Sequence, residues 1–417
     1  MKKNDLFFIL FNVVISLIFI SIYIISKNIL ILFILNVFLM GETILNFKIS
    51  IFSLKSVIIN YILFPLIYQY YTGTSYGLLQ LNYVDIHYYY IFISIFLYNI
   101  TSLLFLKFYK FNNEEKKKLK IPYTISNNIG ILLCLLAIIC SIIAFPTLPF
   151  TFNSANRFNA LLPGNAWNHV VIICLIFLLG NLKNNKFVKF TFLFCAFWFL
   201  SHYERVDMIG IIVLLVFIYF SKHEIKLNFT KYIKYFVGII ILFIGMSYIG
   251  ATRGGTSINS LTKSLFTQST ACDIAYVYNI SIDYSQNYGL VHGNSYKQYI
   301  VELIPFISYN KSITNLLKSK YIFPGGEYLL SAVVMNFGIY FIPLFTLIED
   351  YVIVKIIKSK KLYFTLIYLF ILTASFRINW YGLIYIETGL VYIIPVLLFI
   401  YCKLFKSLFF EKSDIVE

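Results

Sequence analysis

Twelve apolar runs, each 15 to 23 residues long and, for all but one pair of neighbours, parted by short polar stretches, constrain this chain more than any single motif does. A run of that length, when helical, crosses or nearly crosses the ~30 Å hydrocarbon core of a bilayer. In lipid a helix also satisfies its own backbone polar groups, which an open strand cannot do. The runs fall at residues 6–25, 29–47, 56–71, 88–106, 127–146, 167–181, 187–201, 207–221, 235–251, 327–349, 362–376 and 381–402. The expected fold class is an all-α polytopic membrane protein with about 12 transmembrane helices. Composition agrees, because 60% apolar and 12% charged residues leave too few charges to solvate a soluble surface of 417 residues. MKKND ahead of the first run lacks a small-residue cleavage site after it, so that run is expected to stay as an uncleaved span.

The net charge of +16 does not point to nucleic acid, since the lysines cluster in short connections between apolar runs. Assigning alternate connections to alternate sides puts 24 of the 34 basic residues on the side of both termini and 10 on the other. The basic-rich side is then cytoplasmic. Residues 1–251 are expected to carry nine spans, 252–325 one large extracytoplasmic loop with interfacial helices, and 326–417 three spans and a cytoplasmic tail. Within the loop, 264–280 and 296–307 carry apolar residues at mixed three and four spacing, as in helices lying along a membrane surface. No internal repeat is visible. Five of the six cysteines lie in apolar runs and only Cys272 in a polar stretch, so no disulfide framework is expected.

Only four basic residues are arginine, and all four fall on the outer side: Arg157, Arg205, Arg253 and Arg377. Coding bias explains their scarcity but not their placement. A guanidinium offers a planar, permanently charged fork suited to phosphate or carboxylate. Arg205 lies in Ser201-His202-Tyr203-Glu204-Arg205-Val206-Asp207, between two runs of about 15 residues, or ~22 Å of helix. Such a short hairpin should draw its charged tip below the membrane surface, where His202, Glu204 and Arg205 could meet a substrate. The plainer reading is a solvated turn with Glu204 and Arg205 capping helices. Arg253 precedes Gly254-Gly255, which permits close backbone approach to an anion; a snorkelling helix end is its alternative. Arg377 is expected in an outer turn. Glu387, about six residues or roughly 9 Å into the last run, should find a cationic partner such as an arginine. Arg157 belongs to a Pro- and Asn-rich outer loop and is closest to an ordinary loop residue.

His292, between Gly289 and Gly293, and Glu327, after Gly325-Gly326, are candidates for a general base. A surface histidine and a helix-capping carboxylate are the respective alternatives. The sequence contains no P-loop, HExxH, GxSxG or metal-spaced Cys/His set, which argues against nucleotide hydrolysis, zinc proteolysis and nucleophile-elbow chemistry. No cofactor and no metal is expected.

The pattern Gly289…His292-Gly293-Asn294-Ser295-Tyr296…Leu303-Ile304-Pro305-Phe306…Lys311, followed by Gly326-Glu327-Tyr328…Asn336-Phe337-Gly338, resembles the O-antigen polymerases, the Wzy-type repeat-unit polymerases. The motifs cover about 50 residues, and the family's dozen spans, cytoplasmic termini and late outer loop extend the likeness along the chain. This resemblance implies a GT-C-like fold in the bacterial cytoplasmic (inner) membrane. It also implies transfer of an undecaprenyl-diphosphate-linked oligosaccharide donor onto a lipid-linked acceptor, for O-antigen or capsule. A chain-length regulator and a flippase would be the protein partners, with membrane lipids around the chain and no nucleic acid. Family members carry an arginine after the proline of the Ile-Pro motif; here Phe306 stands there, and Lys311 is the candidate to take over phosphate binding. On this reading Arg205 and Arg253 clamp the diphosphate, Arg377 supports it, and His292 or Glu327 serves as base. Two other readings stay open: a ligase that moves finished glycan, and a lipid-linked-sugar flippase or other transporter.

Overall fold

A computed structural model describes residues 3–48, 50–73, 85–109, 111, 125–149, 166–202, 205–222, 269–301, 307, 309–359, 361–383, 387 and 389–395. Its regular structure is helical: α1 Lys3–Ser26, α2 Ile29–Phe47, α3 Ile51–Asn60, α4 Leu63–Thr72, α5 Tyr88–Phe108, α6 Asn127–Ala144 and α7 Ala166–Leu178. There follow α8 Lys186–Ser201, α9 Arg205–Lys222, α10 Ser269–Asn287, α11 Ile313–Lys318, α12 Ser331–Phe337, α13 Ile342–Lys358 and α14 Leu362–Tyr381. Among the described residues five helical stretches are long and apolar enough to cross a membrane, or six if the bent pair α12 and α13 is one span. Among the described residues the protein is all-helical, with apolar helices suited to a membrane. The ninth expected run, 235–251, lies outside the described residues.

The chain divides into two units. The first comprises Met1–Glu114, Thr262–Lys355 and Ile378–Leu383. Here α2 packs on α1, α3 and α5, with Leu35, Leu39, Phe96, Ile100 and Leu103 at the contact. Apolar side chains gain little from one another in lipid, so polar groups must add specificity. Asn99 supplies it: its amide donates to Asn36 and to Asn60, both at 3.2 Å, and its oxygen accepts from Ser56 at 3.1 Å. Three helices are thereby held in one register. Between α3 and α4 the span breaks at Tyr61-Ile62, because Pro65 has no N–H to return to the preceding turn.

Three features of this unit differ from expectation. The run 327–349 is not one helix: α12 ends at Gly338 (φ 82°, ψ 173°), and the helix after it departs at 115°. Only glycine takes that backbone conformation readily, and Pro343 in the first turn of α13 suits a fresh helix start. The segment expected to lie along the surface forms α10, buried without a break from Ala271 to Asp283 rather than along one stripe. Its Cys272, Tyr276, Val277 and Ile280 pack with Ile313, Leu317, Ala332 and Met335. Lys55, counted above among the charges of a short connection, lies inside α3 and is buried.

The second unit comprises Glu115–Leu261, Ile356–Arg377 and Ile384–Glu417. In it α6 packs on α7 and α8, while α9 meets both α8 and α7. The expected short hairpin is present as α8 and α9. Gly210 lets α9 approach α14 closely, since a Cβ there would collide with the Thr373 carbonyl.

Candidate functional site

The elements that bring ionisable groups together in the first unit are the loop after α10, the segment before α12 and the residues before α5. Gly289 (φ 86°), His292 (φ 51°) and Gly293 (φ 78°) turn the chain sharply after α10. The Val291 and His292 amides donate to the Met335 and Asn336 carbonyls at 2.8 and 3.2 Å. Those carbonyls belong to the last turn of α12, whose own helix leaves them unsatisfied, so the loop is a cap for that end. Asn336 also donates to Ser295, and Tyr296 stacks on Phe337 at 5.8 Å. His292 is exposed and left-handed without being glycine, a conformation that costs of order 1–3 kcal/mol and tends to occur at functional sites.

Glu327 is buried, 3% exposed, and its Oε1 accepts from the Tyr299 hydroxyl at 3.2 Å. It lies four residues ahead of α12, so helix capping does not account for it. The preceding glycines, Gly325 (φ 102°) and Gly326 (φ 81°), set the turn that delivers it. Gly382 seats against the carboxyl, where a Cβ would stand 3.0 Å from Cδ. Burial and then the Glu327 carboxylate push the Tyr296 hydroxyl well up, so that phenol remains a hydrogen-bond donor.

A second cluster escaped the sequence reading. The His87 Nε2 lies 2.9 Å from Asp283 Oδ1, and the Tyr321 hydroxyl donates to Asp283 Oδ2 at 2.7 Å. Asn279 holds the backbone beside it by accepting from the His87 amide at 2.8 Å. A carboxylate behind an imidazole fixes its orientation and supports its basicity. His87 and Asp283 are 196 residues apart, and neither has a local motif. Burial pushes the Asp283 carboxyl up, but hydrogen bonds from His87, Tyr321 and Asn287 outweigh it and hold the group below its ordinary range.

A carboxyl depressed in the folded state contributes stability above its unfolded value of ~3.9 and loses it as pH falls through the lower folded value. Thermal unfolding in detergent, followed from neutral pH to below ~4, should therefore show an acid-side loss of stability that Asp283→Asn lessens. An identical acid profile for the variant would remove Asp283 from that role.

In the second unit two expected site residues serve packing instead. His202 is fully buried; its Nδ1 lies 2.7 Å from the Trp198 carbonyl and its Nε2 3.0 Å from that of Thr147. Phe145 stacks on the ring at 5.3 Å and Trp198 lies against it at 4.8 Å, so the imidazole is enclosed by aromatics. Arg377 is not in an outer turn, because α14 continues to Tyr381. Its Nε and Nη2 donate to Asp207 Oδ1 and Oδ2 at 3.0 and 2.8 Å, with Asn168 on Oδ2 at 3.1 Å. Arg377 thus engages Asp207, a member of the hairpin motif. Glu387 is half-buried in a helical position.

Lys311 is exposed just ahead of α11. Arg157, Glu204 and Arg253 lie outside the described residues; of Arg205 only the backbone, at the start of α9, is described. Among the described residues no three His, Cys, Asp or Glu side chains stand close enough to hold a metal ion. Protein-family models, curated proteins and solved structures, compared with this chain, give no match.

Proposed function

We propose that the protein is a membrane glycosyltransferase that polymerises polyprenyl-diphosphate-linked oligosaccharide repeat units on the outer face of the cytoplasmic membrane. Twelve spans, cytoplasmic termini and a large outer loop belong to this reading, as do a chain-length regulator and a flippase as partners. The observation that carries it is the buried Glu327 carboxylate, hydrogen-bonded to Tyr299 and set behind paired left-handed glycines within the segment whose motifs resemble the Wzy-type polymerases.

In the reaction Glu327 takes the proton from the acceptor sugar hydroxyl, and that oxygen bonds to the donor's anomeric carbon. The bond from that carbon to the diphosphate breaks, and the polyprenyl diphosphate leaves with the electron pair. The charge that develops on it calls for a cation, the electrostatic role guanidinium fills without a nucleotide. Arg377 and His202 drop out of the substrate-binding set. His292 is exposed, and His87 with Asp283 is a second candidate base.

Purified protein in lipid nanodiscs, given lipid-linked repeat units alone, should convert them to a ladder of longer lipid-linked chains. Transfer of single finished glycans to a lipid core, with no ladder, would establish the ligase instead. A transporter has one specific support, the 115° break between α12 and α13. It would move the repeat unit across vesicles without lengthening it.

A further inference from the structure

Outside the site above, one group of charges lies within the spans of the first unit. Lys55 Nζ on α3 stands 2.9 Å from Glu349 Oε2 and 3.1 Å from Asp350 Oδ1, both on α13. Tyr98 on α5 donates its hydroxyl to Glu349 Oε2 at 3.1 Å, and the ammonium lies 5.5 Å from the centre of its ring. The side chains of Lys55, Glu349 and Asp350 are 9%, 15% and 0% exposed. Asp350 is the ninth of the seventeen residues of α13, so about 12 Å of helix lies on either side of it. Snorkelling to an interface is closed to so short a side chain at that depth.

The charges do not balance. Two carboxylates face one ammonium, leaving a surplus of one negative charge if all three are ionised. Lys355, the next cation along α13, is exposed and lies over the Tyr351 ring at 5.3 Å. Among the described residues the other titratable group turned toward the pair is the Tyr98 phenol, with Tyr328 next beyond it. A phenol cannot supply a positive charge. The second oxygen of Asp350, Oδ2, is buried and has no hydrogen-bond partner among the described residues. Two buried carboxyls sharing one ammonium, with one oxygen left unmatched, are costly to keep fully ionised together.

We propose that Glu349 and Asp350, with Lys55 as fixed counter-charge, form an intramembrane proton-binding site in which the two carboxyls share one exchangeable proton. Binding forms the O–H bond of a carboxylic acid, release returns a carboxylate and H⁺, and the cluster alternates between neutral and singly negative. A metal cation is the poorer occupant, since it needs about six oxygen ligands while the oxygens facing Lys55 are already engaged. The site is built on the helix that begins after the Gly338 break, and it stands independently of the glycosyl-transfer reading.

The test is infrared spectroscopy of the whole protein in nanodiscs through a pH titration in potassium and in sodium buffers. A protonated-carboxyl carbonyl band is expected to appear and vanish within the titration, reduced in Asp350→Asn, unchanged in Glu327→Gln, and indifferent to the choice of cation. Lys55→Met should enlarge the band, because both carboxylates then need protons. With one more proton bound folded than unfolded, the folding equilibrium of the wild type should weaken by about tenfold per pH unit as pH rises across the site's titration. Asp350→Asn should flatten that slope. A band insensitive to both Asp350→Asn and Lys55→Met would overturn the proposal, and so would stability that follows sodium rather than pH. Should Asp350→Asn not fold, the Lys55→Met band and the wild-type slope decide.

Discussion

Glu327→Gln is expected to slow repeat-unit transfer by roughly 10²–10⁴-fold, the span of a lost general base, while the protein accumulates normally. Glutamine keeps the size of the side chain, and its amide oxygen can still accept from Tyr299, which donates at 3.2 Å in the native site. Gly382 leaves room for the same planar end group. What disappears is basicity. Tyr299→Phe should cost much less, because it removes one neutral hydrogen bond to the carboxylate, and His292→Ala less again, because that side chain is exposed. The measurement is the rate of ladder growth from lipid-linked repeat units at matched protein concentration. Unchanged growth with Glu327→Gln would end its role as base and turn attention to His87.

The second large effect is on stability. Removing one partner of a buried ion pair strands the other, at a cost of about 3–5 kcal/mol. Arg377 and Asp207 meet that condition, with side chains only 6% and 1% exposed and two hydrogen bonds between them. Arg377→Met and Asp207→Leu should each lower the unfolding temperature and the yield of protein in the membrane. The double replacement should restore much of the loss, since neither charge is then left alone. A phosphate-binding arginine would behave otherwise: Arg377→Met would spare folding and impair transfer, and the second replacement would rescue nothing. Yield, unfolding temperature and ladder growth measured on all three variants separate the two cases.

The apolar runs were legible because hydrocarbon forgives nothing: α1, α2, α5 and α6 follow the hydrophobic stretches to within a few residues. The α8–α9 hairpin was legible for the same reason, its ends marked by the polar heptad 201–207. Runs with a break were harder. Hydropathy passes smoothly over Gly338, whereas backbone conformation does not, so one expected span is two helices. Charges were assigned by proximity in sequence, and that method fails wherever a partner is distant. Lys55 was taken for a loop charge because Asp350 is 295 residues away, and the partnership of Arg377 with Asp207, 170 residues away, went unread. His87 has no motif around it and becomes a candidate only when Asp283 stands behind it. Glu327 was the exception, since paired glycines before an acidic residue at the start of an apolar run carry a local signal.

The separation of Lys55 from its acids also has a consequence in time. Translation at about 5–20 residues per second makes the ammonium wait some 15–60 s before residue 350 is synthesised. During that interval α3 has a bare cation and no carboxylate to meet it, while Asn99 of α5 can already engage Asn36 and Asn60. The asparagine contacts therefore close early and locally. The seating of Lys55 waits for α13, so synthesis of that helix is the event that ties α3 and α5 to the later part of the chain.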